Sequence, residues 1–138
     1  MKNKKAFTLI EIMLVVMIIG ILAALVVPRL AGRSEQARQA AAKADIEANI
    51  ATALDLYELD NGQYPTTEQG LVALVAKPAV PPDPLNWRGP YLKKEPKDPW
   101  GRLYIYKSPG EHNTVDYDLA SMGKDGVEGG ADDVVNWK

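Results

Sequence analysis

The sequence predicts an α+β protein: a long N-terminal helix, membrane-spanning in its first half, packed on a small antiparallel β-sheet in a loop-rich C-terminal body. Three observations predict it. Residues Ile12 to Pro28 form 17 consecutive uncharged, mostly apolar positions. From there to about Leu59 the chain is rich in alanine, with larger apolar residues at helical spacing. Eight of the ten prolines then fall in residues 63–100, where extended loops follow. A chain of 138 residues is long enough for one core, and with no cysteine no disulfide can staple it.

Counted back to Phe7, the apolar run is 22 residues broken only by Glu11. As a helix it spans roughly 33 Å, against about 30 Å of bilayer hydrocarbon. Lys2, Lys4 and Lys5 precede it and Arg29 and Arg33 follow it, a bias towards a cytoplasmic N-terminus and an exported body. Residues 1–33 carry +4 in a chain whose total is −2, which leaves −6 for residues 34–138. An acidic body of this kind argues against nucleic-acid binding. A secretory signal would place a small-residue cleavage site after its apolar core, but Ala23-Ala24 lies inside the run. A carboxylate in such a segment costs on the order of 2.5–3.5 kcal/mol on insertion scales, so Glu11 is a functional candidate.

Beyond the membrane segment, alanines from Ala31 to Ala53 give high helix propensity. Ile46, Ile50, Leu54 and Tyr57 recur at i, i+4, i+8 and i+11 and predict the core-facing stripe. The smaller residues Ala37 to Ala44 suit close approach of other helices. Asp60-Asn61-Gly62 reads as the helix stop, and Pro28 as a kink near the membrane surface. The divisions are therefore 1–6, a short basic leader; 7–28, the apolar helix; 29–60, its amphipathic continuation; and 61–138, the body.

Within the body, Thr66 or Thr67 caps a short helix running to about Ala76. Residues 102–107 alternate Leu103 and Ile105 against Tyr104 and Tyr106, and residues 115–119 alternate Val115, Tyr117 and Leu119 against Asp116 and Asp118. The turn-rich link 108–113 makes them an antiparallel hairpin, with both aspartates on a solvated face. Trp87, Trp100 and Trp137 read as packing anchors. The one histidine, His112, sits in a turn, and no nucleophile elbow, P-loop, zinc-protease or dinucleotide fingerprint occurs, so catalysis is not expected. Residues 121–135 gather Asp125, Glu128, Asp132 and Asp133 among Gly123, Gly126, Gly129 and Gly130. Calcium-type cations take six to eight oxygens from carboxylates and backbone carbonyls, which such a loop can present, whereas magnesium prefers fewer protein ligands. On composition alone, a solvated acidic loop stands as the alternative.

The stretch Lys4-Lys5-Ala6-Phe7-Thr8-Leu9-Ile10-Glu11 resembles the leader of the type IV pilin superfamily. Tyr64-Pro-Thr-Thr-Glu-Gln-Gly-Leu71, Asn86-Trp-Arg-Gly-Pro-Tyr-Leu92, Asp98-Pro-Trp-Gly101 and Ser108-Pro-Gly-Glu-His112 resemble, in matching order, the major pseudopilins of type II secretion systems. The resemblance implies a pilin-like fold and cleavage by a prepilin peptidase between Ala6 and Phe7, with N-methylation of Phe7. Ala6 stands where the family usually has glycine. It implies assembly through Phe7, Glu11 and Pro28, with Glu11 pairing with the N-terminal amine of a neighbouring copy. The chain would be stored in the bacterial inner membrane with its body in the periplasm. It would then join a helical homopolymer with minor pseudopilins, at an inner-membrane assembly platform, that drives export of folded proteins. It also implies a Ca2+ ion held by Asp125, the carbonyls of Met122 and Val127, and a later aspartate, Asp133 in preference to Asp132. Glu128 is then a solvated side chain. Other readings are a type IV pilus subunit for adhesion or motility, and an anchored calcium-dependent module that never polymerises. Intact mass of the protein from its native membrane separates these: loss of residues 1–6 plus one methyl group is expected, and retention of Met1–Ala6 contradicts leader processing.

Overall fold

The structure, a computed structural model, describes residues 6–137, with side chains for all but residues 29–31. The basic residues Lys2, Lys4 and Lys5 and the Arg29 side chain lie outside the described residues. The chain divides into two compact units, Met1–Gln36 and Ala37–Lys138.

The first unit is helical. Helix α1 runs Leu9–Ala44 and contains Pro28, where the sequence predicts a kink. Its start is a capping box. Thr8 Oγ1 accepts the Glu11 N–H at 3.3 Å, and the Thr8 N–H donates to Glu11 Oε2 at 3.4 Å. None of the large apolar side chains from Phe7 to Val27 is less than 47% exposed. By length and composition the helix can cross a membrane.

In the second unit the helix continues through a π turn, Asp45–Asn49, into α2, Ile50–Asn61. Each i+4 step overshoots an α turn by roughly 40°, so a stripe at that spacing would drift off the core. The wider π turn absorbs part of that drift and keeps Ala42, Ile46, Ile50, Leu54 and Tyr57 all buried. Asp45 fixes the turn by accepting from Asn49 Nδ2 at 2.7 Å and from the Tyr104 hydroxyl at 2.9 Å. Gly62, at φ 78°, ends α2 with its N–H on the Glu58 carbonyl. Within the alanine-rich stretch Ala42 packs inside its own body, while Ala37, Ala40, Ala41 and Ala44 stay exposed.

The predicted helix over 66–76 is a correction. Thr66 does cap, reciprocally with Gln69, at 3.1 and 3.2 Å. Gly70, at φ 60° and ψ −171°, then leaves helical geometry, and only a 3₁₀ turn, Leu71–Leu74, follows. The strands β1, Ile105–Lys107, and β2, Asp118–Ser121, form the expected antiparallel pair, with Tyr106 opposite Leu119. β2 starts later than the alternation predicts, and Val115 is fully exposed. A third strand, β3, Val134–Val135, pairs antiparallel with β2, and Asn136 extends that pairing through its side chain to Leu119 and Tyr117. One sheet face meets the helix: Tyr104, Tyr106, Tyr117 and Leu119 pack with Ile46, Ile50, Leu54, Tyr57, Leu71 and Leu74.

Asp118 is also a correction, because it is buried rather than solvated. Its carboxylate accepts the N–H groups of Glu111, His112 and Asn113, each at 2.8 Å, and lies 3.0 Å from His112 Nδ1. Burial pushes its pKa up, but these hydrogen bonds outweigh burial and hold it below the ordinary carboxylate value. The stabilisation is therefore complete above the unfolded-state pKa of about 3.9 and is lost as pH falls through the lower folded value. Melting temperature should fall on acidification below about pH 4. Asp118→Asn should flatten that acid limb while lowering stability at neutral pH by roughly 1–3 kcal/mol, as read from thermal melts across pH.

Candidate metal centre

The segment between β2 and β3 has no regular structure, and its path is set by glycine. Gly123, Gly126 and Gly129 have φ of 61°, 70° and 87°, values that residues with a β carbon rarely adopt. These reversals fold the chain back so that one ligand atom from each of Asp125, Asp132 and Asp133 lies within 4.8 Å of the other two. Each carboxylate spends one oxygen on the loop's own backbone. Asp125 Oδ1 accepts from the Val127 N–H at 2.9 Å, Asp132 Oδ2 from the Asp125 N–H at 3.0 Å, and Asp133 Oδ2 from the Gly129 N–H at 2.7 Å.

The other oxygens are left over. Asp133 Oδ1 is buried with no hydrogen-bond partner, and such an orphan acceptor costs about 1–3 kcal/mol unless something satisfies it. A β carbon built on Gly130 would lie 2.9 Å from Asp132 Oδ1, 3.1 Å from Asp125 Oδ2 and 3.3 Å from the Val127 carbonyl oxygen. Glycine at 130 thus leaves open a cradle walled by oxygen. The N–H of Asp125, with smaller help from neighbouring donors, holds the Asp132 carboxyl below its usual value, so it stays ionised. Three close carboxylates repel one another unless a cation offsets them. The donors are all hard oxygens, a set that suits calcium better than a soft transition metal.

Both aspartates between which the sequence left a choice stand here with Asp125. Of the two carbonyls, Val127 faces the Gly130 cradle, and it also accepts the Gly130 N–H at 3.3 Å. Met122 accepts the Gly126 N–H at 3.2 Å. Glu128 is exposed. On the sheet face opposite the core, a cleft of about 350 Å³ lies between this loop and the hairpin, edged by Lys107, Glu128 and Asp133. There His112 stacks on Trp137, with centroids 4.2 Å apart and planes 6° from parallel. Trp87 is an anchor too, its indole N–H donating to the Ala73 carbonyl at 3.0 Å.

Arg102 is the residue that sequence reasoning missed. Its guanidinium reaches the loop's first turn, donating to the Gly123 carbonyl at 2.7 Å and the Lys124 carbonyl at 3.4 Å. The available signal was its place directly after the Asp98-Pro-Trp-Gly101 turn, a position fixed by Asp98. Gly130→Ala should weaken cation binding at least tenfold, by filling the cradle, while changing the melting temperature in chelator by only a few degrees. Calorimetric titration and paired melts measure both.

The comparisons with known proteins cover both units. The family described as type II secretion system (T2SS), protein G matches residues 29–137, and the prokaryotic N-terminal methylation motif matches residues 1–27. The chain is 55% identical to the type II secretion system core protein G of Pseudomonas aeruginosa, over 99% of this chain and 96% of that protein. It is 52% identical to that of Vibrio cholerae, covering 99% and 94%, and 50% identical to that of Escherichia coli, covering 98% and 92%. Among solved structures, it is similar to the crystal structure of the major pseudopilin from the type 2 secretion system of enterohaemorrhagic Escherichia coli. The TM-score is 0.70 at 44% identity, covering 78% of this chain and 89% of that one.

Proposed function

Because the chain belongs to the protein G family of type II secretion systems and is a subunit of the pseudopilus, we propose a division of labour among its parts. The observation that carries it is the bare apolar helix: sixteen large apolar side chains from Phe7 to Val27 stay exposed in the isolated chain, under a matched methylation motif. Residues 7–28 hold the subunit in the inner membrane, with the body in the periplasm. A prepilin peptidase cuts between Ala6 and Phe7, and Phe7 is N-methylated. At the inner-membrane platform the copies join, together with minor pseudopilins, into a filament. Its growth pushes folded proteins towards the outer membrane. In that role the chain is structural and catalyses nothing.

Glu11 works in two settings. In the isolated chain its carboxylate closes the capping box with Thr8. Beside another copy it pairs with the neighbour's N-terminal amine at Phe7. Each charge loses hydration on entering an apolar bundle, and pairing offsets much of that loss. Pro28 lies in α1 at the end of the apolar run, where it removes one backbone hydrogen bond and so lets the helix adjust as copies pack.

In the body, Asp125, Asp132 and Asp133 with the Val127 carbonyl hold a calcium ion, and Met122 is the further carbonyl donor implied by the family. A calcium ion there would supply the positive charge that these oxygens coordinate, and the residues holding it would tie the segment before β3 to that after β2. That tie would replace the disulfide that a cysteine-free chain cannot make. The orphan oxygen of Asp133 and the cradle at Gly130 support this reading.

Two experiments test the proposal. Glu11→Ala should leave membrane insertion intact and abolish filament assembly and exoprotein secretion, and normal filaments from that variant contradict the pairing role. Asp125→Ala in the full chain in detergent should melt lower in calcium and respond no further to chelator. A wild-type chain that melts identically in calcium and in chelator has no such site.

A further inference from the structure

We propose that Arg102 is a positioning residue that forms the first turn of the cation loop before any ion arrives. Gly123 is held from both sides. Its N–H donates to Ser121 Oγ at 3.2 Å, and its carbonyl accepts from Arg102 Nη1 at 2.7 Å. The two arms share one root. Asp98, itself buried, accepts the Ser121 hydroxyl at 2.7 Å through Oδ2 and the Arg102 N–H at 2.8 Å through Oδ1. The second guanidinium arm reaches the Lys124 carbonyl, the residue before Asp125. Gly126 closes over the group: a β carbon there would stand 2.6 Å from Arg102 Cζ, with φ at 70°. The turn Gly123–Gly126 is thus wrapped around a planar cation.

The chemistry explains why arginine is suited to this place. A guanidinium presents donors in a fixed fork, so it can hold two successive carbonyls and fix their peptide planes, whereas an ammonium is a point charge. Orienting Gly123 and Lys124 sets where Asp125 leaves the backbone. Its cationic charge also lies beside a loop that gathers three carboxylates, which lowers the cost of that gathering while the loop is empty. An opposite effect competes with this, since a fixed cation repels an incoming one. If clamping dominates, removing the fork weakens ion binding; if repulsion dominates, it strengthens it.

The part of this inference that concerns affinity rests on the calcium reading, and the clamp itself does not. The test uses the full chain in detergent, as wild type, Arg102→Lys and Arg102→Gln. Amide hydrogen exchange of Asp125 and Gly126 is read in chelator, and calcium affinity by calorimetric titration. Arg102→Lys keeps the charge and most of the stem, and near-UV circular dichroism verifies its core packing. In chelator, exchange at Gly126 should be about tenfold faster in both variants than in wild type, and calcium should bind roughly tenfold more weakly to both. Unchanged exchange in the variants, tighter calcium binding, or full rescue by lysine overturns the clamp. If wild type binds no calcium while both variants lose protection, the calcium reading fails and the clamp stands.

Discussion

The structure depends on a helix that its own chain does not cover. Fully burying one large apolar side chain is worth roughly 1.5–3 kcal/mol, and sixteen of them stand exposed between Phe7 and Val27. No rearrangement of a body this small removes so much apolar surface from water. The helix must therefore lie in lipid or against other helices, and these two settings are close in free energy because acyl chains are about as apolar as leucine. Near-degeneracy of this kind suits the proposed storage in a membrane and withdrawal into a pseudopilus. It also gives polar groups in the segment a disproportionate influence. Glu11 is the one carboxylate there, and its capping-box partner Thr8 lies one turn away.

The body meets a different constraint. Its sheet has only three short strands, and its last turns are irregular. Order comes instead from buried carboxylates that serve as hydrogen-bond hubs. Asp98 ties the turn before β1 to Ser121 at the end of β2, and Asp118 gathers three successive N–H groups of the hairpin turn. Asp125, Asp132 and Asp133 repeat the device in the last loop, but there each has an oxygen left over. Two hubs complete themselves within the chain, and the third is complete only with the proposed cation.

The helix was legible in the sequence because its signals are local and redundant: alanine propensity, the Ile46 to Tyr57 stripe, and Asn61-Gly62 as a stop. The π turn at Asp45–Asn49 was not, since an i+4 spacing reads as an ordinary helix until the accumulated rotation is compared with what is buried. β3 is two residues long and pairs Val134 and Val135 with Ser121 and Ala120, more than a dozen positions back, so no local alternation announces it. Asp118 was misread because alternation along a strand says which residues share a face, not whether a neighbouring turn, here the one that carries Glu111, His112 and Asn113, folds over that face. Of the loop, glycine spacing pointed to a fold-back, and the family resemblance implied Asp125 with one later aspartate, Asp133 in preference to Asp132. For Arg102 the turn before it was legible, but its reach to a loop about twenty residues further on was not, because nothing local encodes that return.

The claim on which everything else rests is that the apolar helix exchanges lipid for other copies of itself. The chain has no cysteine, so a single Val16→Cys carries one environment-sensitive fluorophore at the middle of the segment. Its quenching by brominated lipid is measured first in membranes holding the unassembled subunit, then in sheared filaments returned to the same lipid. Strong quenching in the membrane, and an equally apolar but unquenched signal in the filament, is the predicted result. Equal quenching in both states would mean that the helix stays in contact with lipid, and would contradict a filament built by burying it.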